Sequence, residues 1–108
     1  TLAAELGLQA VDSARPAALL VNATAIGLHE PSTAFKEFPV NPDAMATYAT
    51  VVDFVYRPGG TALTEAASAA GCDVVDGLEI LVRQGALSLE AWTGLPAPID
   101  EMRAAVRT

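Results

Sequence analysis

Lysine, histidine, cysteine and tryptophan each occur only once in this 108-residue chain. Six basic residues against 13 acidic ones leave a formal charge of −7, which excludes the basic footprint that nucleic acid or an anionic membrane surface requires. A single cysteine, Cys72, excludes an internal disulfide and makes a reducing, cytoplasmic setting the expectation. At the start of an apolar run it reads as a small core residue rather than a nucleophile or a metal ligand. No apolar run approaches the roughly 20 residues of a membrane-spanning helix, and no basic segment leading into an apolar one reads as a signal peptide. The length suits one domain or part of one, and is short for an enzyme of small metabolites, which needs a cleft between two bodies. The opening TLAAELG is helix-like with no N-cap before it, so the natural protein is expected to start well upstream.

What is present alternates between two periodicities. Residues 1–7 read as a helix end closed by Gly7, and Leu8 to Val11 as a short strand. Ala18 to Val21 is a continuous apolar run, the pattern of a strand buried on both faces of a parallel sheet. Residues 25–41 are loop-like, with Pro31 and Pro39, and Pro42 to Thr47 reads as a short helix. Thr50 to Tyr56 is the strongest strand, stopped by Arg57-Pro58-Gly59-Gly60. Thr61 to Ala70 is an alanine-rich helix ended by Gly71, Cys72 to Val75 another short strand, and Ile99 to Val106 a last helix. Strands alternating with helices predict an α/β domain built on a parallel sheet.

The longest helix is predicted to open at DGLEILVRQGALSLEAWTG, with Asp76 as N-cap and Gly94 as its stop. At 100° per residue, Leu78, Leu81, Val82, Gly85, Leu89 and Trp92 form one apolar stripe, an ordinary core face. A second stripe carries Gly77, Ile80, Gln84, Leu87, Ser88 and Ala91, leaving Glu79, Arg83 and Glu90 for water. The helix therefore needs partners on two sides, and one of those sides holds an amide.

A parallel sheet lines up the carboxyl ends of its strands along one edge, and ligands bind in the crevice outside that edge. The sequence marks it at NATAIG from Asn22, at DFVYRPGG from Asp53 and at DGLE from Asp76. Together with VVDFVYRPGGTALTEAA, VVDGLEILVRQGA and AWTG, and in the same order and spacing, these stretches resemble the C-terminal half of the shikimate dehydrogenase family. The resemblance covers essentially this whole chain but less than half of a family enzyme. Ala25 and Ala62 stand where the family often has proline, and Leu28 and Ile80 where it often has methionine.

The resemblance implies the second half of a Rossmann-like, NADP-binding domain over residues 1–108, its C-terminal helices returning to the interdomain cleft. The implied reaction passes a hydride between NADPH and 3-dehydroshikimate, giving shikimate in aromatic amino-acid biosynthesis. The family's catalytic Lys–Asp pair lies in an N-terminal substrate domain, and Lys36 in AFKEF matches no family motif, so no catalytic residue is assigned. The glycine-rich phosphate loop and the basic 2′-phosphate segment are absent as well. By the same resemblance Asn22, Ala23 and Thr24 line the nicotinamide pocket, Phe54 lends backbone and ring to its side, and Gly77 lets the helix backbone approach the cofactor. Tyr56 and Gln84, the latter two helical turns beyond Gly77, are assigned to the substrate. His29 lies outside the matched positions and reads as a solvated side chain.

Two alternatives stay open: a quinate/shikimate dehydrogenase using NAD, and a non-catalytic half-Rossmann binding or assembly module. In each case an open half-sheet and an uncovered helix stripe expose groups that a lone chain normally hides. The isolated chain is therefore predicted to self-associate, burying Ile80, Leu87 and Ala91 against a second copy. Sedimentation at micromolar concentrations checks this, and a folded monomer with those side chains open to solvent overturns it.

Overall fold

β2 (Thr50–Asp53) forms because three β-branched residues in a row favour extended backbone, and it becomes the centre of the sheet. In the computed structural model, which describes residues 1–29 and 33–107, β1 (Leu19–Asn22) and β3 (Asp73–Val75) flank it in the order β1-β2-β3. Both pairings are parallel, with Leu19 opposite Thr50, Asn22 opposite Asp53 and Thr50 opposite Asp73. Alternation along β2 sends Val51 and Asp53 to one face, where both are buried.

α3 (Ala62–Ala69) connects β2 to β3 and covers that face, its Leu63 and Ala67 packing with Met45, Tyr48 and Val51 into the core. The connecting segment between β1 and β2 adds Phe35, Phe38 and Val40 to the rim, and the Phe35 and Phe38 rings meet edge to face at 5.7 Å. Cys72 lies against the same core and donates its thiol to the Met45 carbonyl at 3.1 Å, as suits a small packing residue. The opposite face of β1 is bare: Leu19 and Val21 are 54% and 44% exposed. The expectation of a strand buried on both faces is thus met on one face only. Its apolar run is written for two layers, and these residues supply one.

Other expectations are corrected. Leu8 to Val11 forms no strand: the described sheet runs β1-β2-β3, and residues 8–11 pair with none of its strands. The second strand stops at Asp53 rather than running to Tyr56, because the Asp53 side chain captures the backbone N–H of Val55 at 3.0 Å. Thr1 is itself an N-cap for α1 (Leu2–Glu5), accepting from the Ala4 N–H. The expected loop at 25–41 contains one helical turn, α2 (Ala34–Glu37); Pro31 lies outside the described residues. Pro42–Thr47 is a 3-10 helix capped by Asn41, whose side chain accepts from the Asp43 N–H.

α4 (Gly77–Thr93) begins and ends where the sequence predicts. Asp76 accepts from the Glu79 N–H at 2.8 Å, and Gly94 adopts φ 69° while donating to the Glu90 carbonyl. α5 (Ile99–Val106) folds back along it as an antiparallel hairpin with Met102 beside Gly85. Two stripe assignments change as a result. Trp92, expected in the core, is 80% exposed. Glu79, expected in water, is partly covered by the arginines of α5. Arg103 grips it through Nε and Nη2 at 2.9 Å each, and Arg107 binds both oxygens of Asp76 at 3.0 and 3.1 Å. Arg83 adds a third contact to Glu79 from within α4.

Among the described residues α5 has no buried side chain, so these bidentate ion pairs carry much of its attachment. Hydrogen bonds from Arg103 and then Arg83 outweigh partial burial and hold the Glu79 carboxyl at about 2, against an ordinary 4.5. Asp76 is raised by burial but lowered more by Arg107 and the Glu79 N–H, and ends below its ordinary value. A depressed carboxyl pKa contributes stability above the unfolded value and loses it as pH falls toward the folded one. Between pH 4.5 and about 2, α5 should therefore loosen first, and Arg103→Ala should loosen it several-fold at neutral pH. Amide exchange across 99–106, read against β2, tests this; equal protection in wild type and variant overturns it.

Candidate functional site

Asn22 and Asp53 are the last residues of adjacent strands and face each other in register. Each turns its chain in the same manner. The Asn22 side-chain oxygen accepts from the Thr24 N–H at 3.0 Å and the Thr24 hydroxyl at 2.6 Å, while Asp53 Oδ1 accepts from the Val55 N–H at 3.0 Å. The two side-chain turns are joined: Asn22 Nδ2 donates to Asp53 Oδ1 at 2.9 Å and to the Ile26 carbonyl at 3.2 Å. Asp53 Oδ2 accepts from the Thr61 hydroxyl at 2.7 Å. Thr61 in turn caps α3 in a reciprocal box, accepting from the Thr64 N–H and donating its own N–H to Thr64 Oγ1. Asn22, Asp53, Thr61 and Thr64 are all buried, and no buried side-chain N or O among the described residues lacks a partner.

This frame displays the side chains named from the sequence. The Phe54 N–H donates to the Asn22 carbonyl at 3.0 Å, so the ring leaves the sheet at its end and is 49% exposed. Tyr56, two residues on, is 55% exposed. Ala23 and Thr24 are exposed beside them. Asn22 and Thr24 border a cleft of about 260 Å³ along β1, whose other walls include Val11, Leu20, Ile26 and Val40. Arg57 donates to the Leu28 carbonyl at 3.1 Å and ties the loop after β2 to the loop after β1.

Gly77 is buried at the first turn of α4, and its missing Cβ has a definite neighbour. A Cβ there would run into the Val55 carbonyl and lie 2.6 Å from the Tyr56 nitrogen. The bare backbone thus lets α4 lie against the peptide that carries Tyr56. Gln84 is exposed on the same helix, and its side chain has no hydrogen-bond partner among the described residues. Its stripe remains largely open, with Leu87 70% exposed and Ala91 exposed. The edge therefore assembles Asn22, Ala23, Thr24, Phe54, Tyr56 and Gly77, while Gln84 stands about 10 Å along α4.

Asp53, Thr61 and Thr64 carry the frame and had no role in the sequence reading. The available signal was an acidic residue ending the most apolar strand, an expensive placement unless donors surround it. His29 is exposed, and no group of three or more metal-ligating side chains occurs among the described residues. No described helix is long and apolar enough to cross a membrane.

A parallel sheet with polar turns, exposed aromatics and a helix start along its carboxyl edge is the ligand-binding half of a Rossmann-like α/β domain. Residues 77–107 match the family described as the shikimate 5′-dehydrogenase C-terminal domain. The chain is 43% identical to the NADP(+) shikimate dehydrogenase of Halobacterium salinarum, covering 98% of this chain and 41% of that protein. It is also 43% identical to the one of Thermus thermophilus, covering 98% and 40%. Its fold superposes on the crystal structure of the Thermus thermophilus enzyme in complex with NADP(H) and shikimate with a TM-score of 0.79 at 41% identity, over 98% of this chain and 40% of that one. The chain matches the C-terminal part of shikimate dehydrogenases, spanning about two fifths of the length of these relatives.

The Gly77 contact makes a direct prediction. Gly77→Ala forces backbone against backbone and should lower stability by about 1–3 kcal/mol, as overpacking of a rigid contact does. Urea unfolding checks this, and an unchanged midpoint overturns the close approach.

Proposed function

We propose that these residues are the NADP-binding part of a longer NADP-dependent shikimate dehydrogenase, which interconverts 3-dehydroshikimate with NADPH and shikimate with NADP⁺. The observation that carries this reading is the match of nearly the whole chain, at 41% identity, to an enzyme crystallised with both NADP(H) and shikimate. The relatives' NADP(+) designation favours NADP over NAD as coenzyme. A cytoplasmic setting is proposed with it, on the single cysteine.

The residues present fit the nicotinamide end of the cofactor. A largely apolar cleft borders Asn22 and Thr24, and the exposed Phe54 ring stands at the same sheet edge; apolar and aromatic surface of this kind suits a flat heteroaromatic group. At the site itself the two nearby arginines are already engaged, Arg107 ion-paired to Asp76 and Arg57 bonded to the Leu28 carbonyl. When bound, the cofactor provides or accepts the hydride. The role of this chain is to hold the ring's face at the sheet edge and to present Tyr56 and Gln84 to substrate hydroxyl or carboxylate oxygens. Both side chains are exposed and able to donate. The proton-transferring pair is assigned to the substrate domain outside these residues, and the further partner is the small-molecule substrate itself.

The full-length protein carrying this chain should oxidise shikimate with NADP⁺, and the 108-residue chain alone should not. In the full-length protein Gln84→Ala and Tyr56→Phe should each weaken shikimate binding by about 1–3 kcal/mol, the cost of one lost buried hydrogen bond. Steady-state kinetics and calorimetry test this. Turnover by the short chain, or unchanged shikimate affinity in both variants, overturns the assignment.

A further inference from the structure

Asp53 is 1% exposed and touches no cation among the described residues, yet its two oxygens accept from three different segments. Asn22 Nδ2 arrives from the end of β1, the Val55 N–H from the loop that bears Tyr56, and the Thr61 hydroxyl from the start of α3. Each donor is attached to something that the proposed function uses. Asn22 holds Thr24 through its other amide atom, with 2.6 Å and 3.0 Å contacts. Val55 is followed directly by Tyr56, and the Val55 carbonyl is the surface against which Gly77 rests. Phe54 lies between Asp53 and Val55, with its own N–H on the Asn22 carbonyl.

We propose that Asp53 is a positioning residue: its carboxylate sets the nicotinamide-side loop at Asn22–Thr24 and the Tyr56 segment relative to one another. The proposal rests on the dehydrogenase reading for what those two segments do, but not for the joint itself. A fold needs only that a buried acid be satisfied, and one helix cap would serve. Here one carboxylate closes its own side-chain turn, holds the Asn22 amide that closes the turn on the neighbouring strand, and also takes the capping residue of the next helix. Displacing it shifts both ligand-facing segments together while leaving the core of Met45, Val51 and Leu63 in place.

The test uses the full-length protein. Asp53→Asn keeps the shape but turns an N–H₂ toward the Thr61 hydroxyl, replacing an acceptor by a donor. The expected result is amide exchange at Thr24 and Val55 faster by about tenfold, with KM for NADP⁺ and shikimate raised by about tenfold and kcat changed less. Thr61→Val should move the same quantities in the same direction to a smaller extent, and Thr61→Ser, which keeps the hydroxyl, should restore them. If Asp53→Asn does not fold, the Thr61 pair decides. A folded variant that loses thermal stability but keeps both KM values and both exchange rates overturns the proposal. If the wild-type protein does not oxidise shikimate, the functional reading falls, and the exchange rates at Thr24 and Val55 alone decide whether Asp53 is the joint.

Discussion

A buried carboxylate without a cation is among the more costly things a small domain can contain, and here the carboxyl edge is organised around satisfying one. Asp53 ends the central strand, where its neighbours in space are the end of β1 and the start of α3. Three hydrogen bonds to it offset the desolvation of the group and, in doing so, fix the relative placement of three chain segments. The strand termination at Asp53, the turn at Asn22 and the cap of α3 are one arrangement seen from three sides. Phe54, Tyr56, Ala23 and Thr24 are exposed in front of this buried network.

The rest of the molecule is lopsided in a way that follows from its sequence. One face of the sheet has a core of Met45, Tyr48, Val51, Leu63 and Ala67, while Leu19 and Val21 stand open on the other face of β1. α4 leaves the sheet at Gly77, rests on the Val55–Tyr56 peptide, and carries an open stripe past Gln84 to Leu87 and Ala91. Covering such surfaces is favourable by about 25 cal/mol per Å² of apolar area. The relatives it matches, more than twice this length, have additional chain with which to do so.

α5 is attached by a different force. Its charged face meets the first turn of α4, where Arg103 and Arg107 engage Glu79 and Asp76 in bidentate pairs. Carboxylates at a helix N-terminus are already favoured by the aligned peptide dipoles, and the arginines then neutralise them. The hairpin is thus closed by charge beside the ligand edge and by the contact of Met102 with Gly85 further along.

Local signals were legible in the sequence wherever the physics is local. Asp76 and Gly94 bound α4 because a cap and a left-handed stop act within one turn, and the Thr50–Asp53 strand was visible because β-branched residues restrict their own backbone. The polar carboxyl edge could be placed from the alternation of strands and helices alone. What required the tertiary structure was every property that depends on who the neighbour is. Leu8 to Val11 reads as a strand but pairs with no described strand, Glu79 looks solvated until α5 folds over it, and Trp92 looks like core but is left exposed. Gly77 was expected to approach the cofactor; that its bare backbone lies against the Val55–Tyr56 peptide is a fact of packing. Asp53 is the clearest case: partners 31 and 8 residues away in sequence turn an acid that composition would place in water into a buried joint of the edge.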